Sequence, residues 1–405
     1  MTRVVSASIY SRAALALLSS TLACTNPPPV TATPDLATTP TSDLLSRPLL
    51  AVVGSDFTSG ALSTVDPGSR AVRKNLDVVD AQPVARAFGS KLYVLDQTHG
   101  ALRIYDAAQD FKNPLDVPVS QTGVVDGAQA NPHDIYIDAQ RQLAYLTLYG
   151  SLGSTQVTAS RAIGVIDLKA PAAGLARFIA LGTAAADTDG NPEADRLVGC
   201  GDTLYVTLQD LDRKRSYVAA SPGRLAVLNL SSPGTPSYIQ LAGENPSGLA
   251  VFPGCTEAIV GSAADQYGGT QLGKGGIERV DLLGLKTLGL ALTDMELGGN
   301  VSALDAVDAA HVFADLQVKS GMTFNNTVYA VDAVAKKKGA ALLGPMSFVA
   351  AVRVLDGRLV VLSAGSAGAG QLAPGLYLGP TSGAPLTDPA VDVGLPPQSV
   401  ALVYQ

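Results

Sequence analysis

An apolar phrase recurs seven times after residue 49 of this chain, and each copy is followed by a second apolar strand that ends near Asp or Asn. The copies are LLAVVGSD, KLYVLDQ, QLAYLTLY, TLYVTLQ, EAIVGSA, HVFADLQ and LVVLSAG. Their partners are GALSTVDP, GALRIYDA, RAIGVIDL, GRLAVLNL, GGIERVDL, NTVYAVDA and PGLYLGPT. Self-similarity at a period of several dozen residues is typical of repeat architectures. The sequence therefore predicts a scaffold of similar units before it predicts any chemistry.

Two further extended runs complete each unit. One precedes the apolar phrase and has the length and pattern of a strand. These runs begin at Pro83, Asn131, Pro192, Asn245, Asn300, Ser347 and Pro397. The other is a weaker fourth strand, seen for example in residues 176–181. Four short strands about every 50 residues predict the blades of a β-propeller.

The two ends of the repeat region predict how the ring closes. It begins at a strand of the second type, residues 50–55, and ends on a lone strand of the first type, residues 400–403. If the last strand completes the first blade, each strand type occurs seven times and the ring has no free edge. We therefore predict an all-β fold, a seven-bladed β-propeller of four-stranded blades over residues 49–405, closed by the C-terminal strand.

The third unit carries a family resemblance. Its stretch NPHDIYIDAQRQLAYLTLYGS followed by RAIGVIDL resembles the repeat of the YVTN, or YncE-like, seven-bladed propellers. The resemblance covers residues 49–405, although Gly-Ser-Lys, Ala-Gln-Arg or Val-Asp-Ala replaces the Pro-Asp-Gly turn that is usual in that family. It implies the fold and a cell-envelope setting. It implies no activity, because members of the family differ in role.

The first 48 residues predict export and anchoring. Residues 1–23 fit a secretory signal, with Arg3 and Arg12 before a short apolar stretch. The following Cys24 resembles the lipidated cysteine of bacterial lipoproteins, although the same context would serve as an ordinary cleavage site. Residues 24–48 are rich in Pro and Thr and predict a disordered tether. Because Thr25 is not the Asp that commonly retains lipoproteins in inner membranes, the resemblance favours the outer membrane.

Charge restricts the partners. Lys plus Arg minus Asp plus Glu is 28 − 35 = −7, and an acidic chain repels phosphate backbones, so nucleic acid is excluded as a partner. We expect a monomer that binds a protein, peptide or glycan. The long loops between second and third strands lie on one face of the predicted propeller, and loops of this length on a rigid scaffold commonly carry binding. Within them, Arg213, Tyr217 and Tyr267 are candidate ligand-binding residues.

The inner strands start on the same face, so the residue after each opening Pro, or after the residue equivalent to it, should surround the mouth of the channel. These residues are Val84, His133, Glu193, Ser247, Val301, Phe348 and Gln398. We expect His133, Glu193 and Gln398 to contact ligand. A His beside a carboxylate can also bind a metal or move a proton, which makes His133 and Glu193 the catalytic candidates. The alternative is a hydrated, hydrogen-bonded rim.

Two metal sites are conceivable. His99 lies in the predicted second blade, where it could approach His133 and a carboxylate and hold a transition metal. The run Asp187-Thr-Asp-Gly-Asn-Pro-Glu-Ala-Asp195 places oxygen ligands at alternate residues, as Ca²⁺ requires, so Asp187, Asp189 and Asp195 are calcium candidates. This run does not match an EF-hand loop, and the alternative is an acidic turn.

Two cysteines remain after Cys24. Cys200 and Cys255 follow the inner strands of adjacent blades at corresponding turns. An even number of cysteines fits an oxidising compartment and predicts a disulfide between them.

The motifs that the sequence lacks also restrict the function. It contains no CxxCH haem site, no G-x-S-x-G elbow, no Walker loop and no Trp. The first hypothesis is a non-catalytic, lipid-anchored propeller that binds its ligand through the long-loop face. The alternatives are a metal-assisted hydrolase or lactonase at the channel mouth, using His133, Glu193 and Asp195, and an accessory subunit of an envelope complex.

Overall fold

The computed structural model describes residues 47–97, 99–119, 130–150, 161–215, 217–264, 272–320, 323–365, 368 and 370–405. All of them belong to one compact unit of the chain. The signal predicted for residues 1–23 and residues 24–46 of the tether predicted for residues 24–48, with Cys24, lie outside these ranges, as does Tyr267. Pro48, the last residue of the predicted tether, is the first residue of a strand.

Seven antiparallel sheets form the blades, which we number by their second strand along the chain. Blade 1 contains β29 (Pro397–Tyr404), β1 (Pro48–Ser55), β2 (Gly60–Val65) and β3 (Val72–Val79). Blade 2 contains β4 (Pro83–Phe88), β5 (Lys91–Asp96), β6 (Ala101–Asp106) and β7 (Leu115–Pro118). Blade 3 contains β8 (Pro132–Asp138), β9 (Leu143–Leu148), β10 (Ala162–Asp167) and β11 (Leu175–Ala180). Blade 4 contains β12 (Ala194–Cys200), β13 (Thr203–Leu208), β16 (Arg224–Asn229) and β17 (Ser237–Gln240).

The remaining blades follow the same order. Blade 5 contains β18 (Pro246–Val251), β19 (Glu257–Ser262), β20 (Gly276–Asp281) and β21 (Lys286–Thr293). Blade 6 contains β22 (Asn300–Asp308), β23 (His311–Ser320), β24 (Thr323–Asp332) and β25 (Lys337–Met346). Blade 7 contains β26 (Val349–Leu355), β27 (Arg358–Ser363) and β28 (Gly375–Pro380), and an isolated bridge from Leu376 to Val391 occupies its outer position.

Short elements lie in the connections between strands. A two-stranded sheet of β14 (Leu211–Asp212) and β15 (Val218–Ala219) lies in the loop between the second and third strands of blade 4. The one-turn helix α1 (Asp294–Leu297) begins with a capping box formed by Thr293 and Glu296. Three-residue 3-10 helices lie at Ala107–Gln109, Pro171–Ala173 and Arg213–Arg215. Among the residues that the structure describes, no helix has the length and hydropathy needed to cross a bilayer.

The predicted closure is confirmed. Strand β29 pairs antiparallel with β1, with Leu402 opposite Leu50 and Val400 opposite Val52. The first strands of consecutive blades also contact one another all the way round, from β29 to β4 and on to β26 and back to β29. The ring of seven sheets thus has its inner strands around a central channel.

The apolar phrases fill the interfaces between blades. Buried side chains form seven clusters, one between each pair of neighbouring blades. Within β27, Leu359 and Val361 pack toward blade 6, whereas Val360 and Leu362 pack toward blade 1. A second strand is therefore buried on both faces, which explains why each copy is continuously apolar instead of alternating with polar residues.

An Asp or Asn at or directly after the end of the third strand in blades 1 to 6 shapes the turn that follows. Side-chain Oδ1 accepts the backbone N–H two or three residues later at six of these positions, in the arrangement called an Asx turn. The six are Asp66, Asp106, Asp167, Asn229, Asp281 and Asp332. The recurrent acid of the repeat therefore has a structural role.

The predicted disulfide is also confirmed. Cys200, at the end of β12, is bonded to Cys255, in the turn between β18 and β19, with Cα atoms 5.8 Å apart. It joins blades 4 and 5 on the face opposite the long loops.

Candidate functional site

The central channel is a large cavity of about 2250 Å³ that runs between the inner strands of all seven blades. At one end, the mouth, it is lined by residues that precede the inner strands or follow the second strands, including Gln97, Asn131, Tyr149 and Gln209. The long loops belong to this face. The channel is therefore the principal candidate site in the described part of the chain.

A bulge near the start of the inner strands builds the rim of this mouth. In blades 1, 3, 5 and 7, the pairing of first and second strands skips one residue beside the opening pair, as His133 is skipped between Pro132 and Asp134. Blade 4 skips Asp195 and Arg196, blade 6 skips Ser302 one pair later, and blade 2 has no bulge. A bulge bends the strand and turns the extra side chain away from the regular ladder. The rim residues are Val84, His133, Asp195, Ser247, Ser302, Ala350 and Gln398, and each of them lines the channel.

The prediction that Glu193 lies on the rim is wrong. Glu193 precedes its inner strand, as Asn131 and Asn245 precede theirs, and all three have a left-handed backbone with φ between 42° and 53°. The Glu193 side chain is fully buried, and its Oε2 accepts the backbone N–H of Leu211 at 2.9 Å. The unit in blade 4 opens at Ala194 instead of Pro192, so the rim position falls on Asp195.

Four side chains from blades 3 and 4 form a closed arrangement at the mouth, here called the mouth cluster: His133, Tyr149, Asp195 and Gln209. His133 Nδ1 lies 3.0 Å from Asp195 Oδ1, and Gln209 Nε2 donates to Asp195 Oδ2 at 3.2 Å. The Tyr149 hydroxyl donates to Gln209 Oε1 at 2.8 Å. The Tyr149 ring then stacks on the His133 imidazole, with centroids 3.9 Å apart. Each member is therefore held by two others.

Electrostatics keep Asp195 ionised. Burial would by itself raise the pKa of the Asp195 carboxyl, but the Arg196 guanidinium and His133 together lower it below its usual range. In turn, the Asp195 charge raises the pKa of Arg196. An ionised Asp195 accepts a hydrogen bond from His133 Nδ1–H, which leaves Nε2 of a neutral imidazole as a hydrogen-bond acceptor.

This geometry suits binding and one kind of acid–base chemistry. The His133 side chain is 23% exposed, and its Nε2 makes no hydrogen bond to the described residues. Nε2 can therefore accept a proton from a ligand or a water molecule. Within the same residues, no Ser, Thr or Cys side chain is hydrogen-bonded to His133, so the arrangement lacks the nucleophile of a hydrolytic triad.

The expected pairing of His99 with His133 is wrong. His99 groups with Asp80 and Asp96, and its side chain is 71% exposed. His99 Nδ1 lies 2.9 Å from Asp96 Oδ2 and 3.4 Å from Asp80 Oδ1. Burial and the neighbouring Asp80 raise the pKa of Asp96 to about 6, while Asp96 raises the pKa of His99. The two histidines thus belong to different clusters.

The three predicted calcium ligands do not lie together. Asp187 and Asp189 lie close to each other and to Asp212, with one oxygen of each within 4.8 Å of the others. Asp195 belongs to the mouth cluster and not to this group. Burial raises the pKa of Asp187, and the charges of Asp189 and Asp212 add to this rise. The third carboxylate of the group is Asp212, from the small β14–β15 sheet, and not the predicted Asp195.

The predicted loop residues have different outcomes. Tyr217 lines the mouth with a left-handed backbone, φ 61°. Gln398 lines the rim, where its Nε2 donates to the Ser55 carbonyl at 3.4 Å. Arg213 begins a 3-10 helix, and its side chain lies outside what the structure describes.

Comparison with known proteins shows the fold and no family. No family model and no curated protein matches the chain. Solved structures resemble it at low identity. The hydrazine synthase of Kuenenia stuttgartiensis is 13% identical, with a TM-score of 0.50 over 79% of this chain and 88% of that one. The chain is a seven-bladed β-propeller.

Two other similar structures have lower TM-scores. Apo AztD from Citrobacter koseri is 11% identical, with a TM-score of 0.48 over 89% of this chain and 99% of that one. Dihydro-heme d1 dehydrogenase NirN, solved in complex with DHE, is 12% identical, with a TM-score of 0.49 over 87% of this chain. The propeller chain spans 65% of the length of NirN. At these identities the likeness concerns the fold alone.

Sequence reasoning missed Tyr149 and Gln209. Both follow a second strand directly, and they end the aligned copies LAYLTLY and TLYVTLQ. The equivalent residue of blade 2, Gln97, also lines the mouth. Aligning the final residues of the copies would have pointed to all three.

Proposed function

We propose that this propeller is a non-catalytic binding protein whose ligand, a protein segment, peptide or glycan, contacts the long-loop face at the channel mouth. The mouth cluster carries the proposal. Its side chains are fixed by mutual hydrogen bonds and a ring stack, while His133 Nε2 faces the channel. Prearranged polar groups beside a large cavity are the usual form of a binding site.

Exposed aromatic side chains support the same face. Phe57 and Phe348 both line the mouth, and they are 62% and 40% exposed. Phe57 also has φ 66°, which is unfavourable for a bulky residue. A strained backbone that exposes an aromatic ring beside a cavity favours a role in contact with a ligand.

Site-specific photo-crosslinking tests the proposal. A photoreactive amino acid replaces Phe348 at the mouth or, as the matched control, Leu283, which is 75% exposed in the turn between β20 and β21 on the opposite face. We expect covalent adducts from position 348 in the native envelope, and none from position 283. Adducts from position 283 alone, or from neither position, would contradict binding through this face.

A second candidate function rests on the pairing of His133 with Asp195. A His oriented by a carboxylate can act as a general base toward water, so a hydrolase or lactonase remains the alternative. His133 belongs to no group of three metal-ligating side chains among the described residues, so the pair by itself supports a metal-independent form. Turnover of ester and lactone substrates that falls about 100-fold or more in His133→Ala would favour the enzyme.

We further propose that the protein is a lipid-anchored member of the cell envelope, related to the YVTN-like propellers. The disulfide between Cys200 and Cys255 supports an oxidising compartment. Labelling with radioactive palmitate tests the anchor. We expect Cys24→Ser to remove the label, and Cys24→Ser protein that still carries it would contradict lipidation at this residue.

A further inference from the structure

Three arginines project from inner strands into the channel beyond the mouth cluster. Arg86, Arg196 and Arg353 come from blades 2, 4 and 7, and all three line the cavity. Their side chains are 18%, 37% and 31% exposed. Three cations in one channel are unexpected in a chain with a net charge of −7.

Each guanidinium is held to the channel wall through Nε. Arg86 Nε lies 2.8 Å from Asp134 Oδ1, and Arg353 Nε lies 3.4 Å from Asp305 Oδ2. Arg196 Nε donates to the Ser247 carbonyl at 3.4 Å and lies 3.6 Å from Asp195 Oδ2. Arg86 also donates through Nη1 to the Ala85 carbonyl of its own strand at 2.8 Å.

The acids beside these arginines are occupied by other donors. Asp134 accepts the backbone N–H of Ile135 and of Leu197 in the next blade. Asp305 accepts the N–H of Ala306 and of Val354, again in the next blade. These carboxylates connect adjacent inner strands, and each of their oxygens already accepts one backbone N–H on the wall.

The terminal nitrogens of Arg196 and Arg353 lack acceptors. None of them makes a hydrogen bond to the described residues, and the buried Nε of Arg353 has no acceptor with hydrogen-bond geometry. A buried donor without a partner is rare and calls for an ion, water or ligand. Burial and the positive charges of Arg353 and Arg196 lower the pKa of Arg86 to about 10, although Asp134 opposes this change.

We propose that the channel binds a small organic anion that bears carboxylate groups, held by the terminal nitrogens of Arg196 and Arg353 with Arg86 beside them. The planar fork of a guanidinium matches a carboxylate with two parallel hydrogen bonds. The cavity, about 2250 Å³, has room for such an acid. This site goes beyond the proposed function, because a small acid can bind inside the channel whether or not the loop face has a partner.

Calorimetric titration of the full chain with succinate and citrate tests the proposal, at constant ionic strength and with succinamide as the uncharged probe. We expect the wild type to bind at least one acid and not succinamide. Arg196→Gln and Arg353→Gln should each weaken binding about tenfold or more, and Arg353→Lys, which keeps the charge but loses the fork, should weaken it less. Arg73→Gln, on the outer strand of blade 1, is the matched control and should bind as the wild type does.

Three results would overturn the anion site. The first is that neither acid binds at about 10 mM, so that its Kd lies far above about 1 mM. The others are equal binding of succinamide and unchanged affinity in both Gln variants. Thermal midpoints of all variants establish that they are folded. The double variant Arg353→Gln/Asp305→Asn keeps the channel charge balanced if Arg353→Gln alone is unstable. Crosslinking at position 348 reports separately on the loop face, so failure of one proposal is distinguishable from failure of the other.

Discussion

The His133 imidazole lies flat on the Tyr149 phenol ring, at an interplanar angle of 7°. Its Nδ1 is at the same time bonded to Asp195. Because the His133 imidazole is stacked on one face and hydrogen-bonded at Nδ1, its rotation is restricted. The orientation of Nε2 is therefore restricted as well. Position and direction of this nitrogen are therefore set by blades 3 and 4 together.

This arrangement predicts a graded effect of two substitutions at Tyr149. Tyr149→Phe keeps the stack and loses the hydrogen bond to Gln209, whereas Tyr149→Leu loses both. A stacked pair and a hydrogen bond each contribute about 1 kcal/mol. We expect the ligand identified by crosslinking to bind up to about fivefold more weakly to Tyr149→Phe and up to about thirtyfold more weakly to Tyr149→Leu. Equal affinity of the wild type and Tyr149→Leu, measured by titration, would show that the stack has no part in binding.

Asp315 predicts a pH-dependent stability. This residue of β23 is fully buried, its Oδ2 accepts a hydrogen bond from the Ser302 hydroxyl, and its Oδ1 has no partner in the described residues. Burial raises the pKa of Asp315 to about 8. An unfolded Asp ionises near pH 4. The contribution of a neutral Asp315 is therefore complete below about pH 4 and is lost progressively up to about pH 8.

Asp315→Asn should remove this dependence. We expect the difference in unfolding free energy between pH 5 and pH 8 to shrink by a few kcal/mol in the variant, measured by urea denaturation. Asp116→Asn, which alters an acid that is 68% exposed, is the control and should behave as the wild type does. An unchanged pH profile in Asp315→Asn would mean that this carboxyl ionises normally in the fold.

The disulfide predicts a large loss of stability on removal. A cross-link over 55 residues restricts the unfolded chain by about 4 kcal/mol in the chain-entropy model. The variant Cys200→Ser/Cys255→Ser should therefore unfold at a clearly lower urea concentration than the wild type. Reducing the wild type should give the same shift, and reduction should leave the double variant unaffected. A double variant as stable as the oxidised wild type would contradict the prediction.

We predict that calcium binds at Asp187, Asp189 and Asp212, the group in which Asp212 replaces the Asp195 expected from the sequence. Three carboxylates this close repel one another, and a divalent cation would relieve the repulsion. We expect millimolar CaCl₂ to raise the thermal midpoint of the wild type by a few degrees relative to EDTA, and Asp187→Asn to abolish the increase. Asp392→Asn, at an acid that is 76% exposed, should keep it. A midpoint that does not respond to CaCl₂ in the wild type would argue against this site.

The fold was predictable because the strands of each unit contain runs of apolar residues, which must be buried. LVVLS in β27 faces two interfaces at once, and the Asp at the end of most third strands forms a turn that can be recognised locally. The pairing of β29 with β1 followed from counting strand types. Repetition supplied the long-range information that a single sequence usually lacks.

The site was less predictable because it depends on register. Pro192 resembles the Pro that opens the other inner strands, but the backbone places Ala194 there, so Glu193 was assigned to the rim instead of Asp195. A shift of one or two residues exchanges a buried side chain for one in the channel. The grouping of Asp212 with Asp187 and Asp189 depends on how the β14–β15 loop folds. No local sequence pattern predicts this loop conformation.

The pairing of β29 with β1 also sets the order of events during synthesis. Strand β1 is synthesised more than 300 residues before its inner neighbour β29, so Leu50 and Val52 lack the strand that covers them until residues 397–404 have been made. A chain truncated before Pro397 would carry an unpaired strand edge that favours self-association. The nascent propeller must therefore avoid aggregation with its ring still open until β29 has been synthesised.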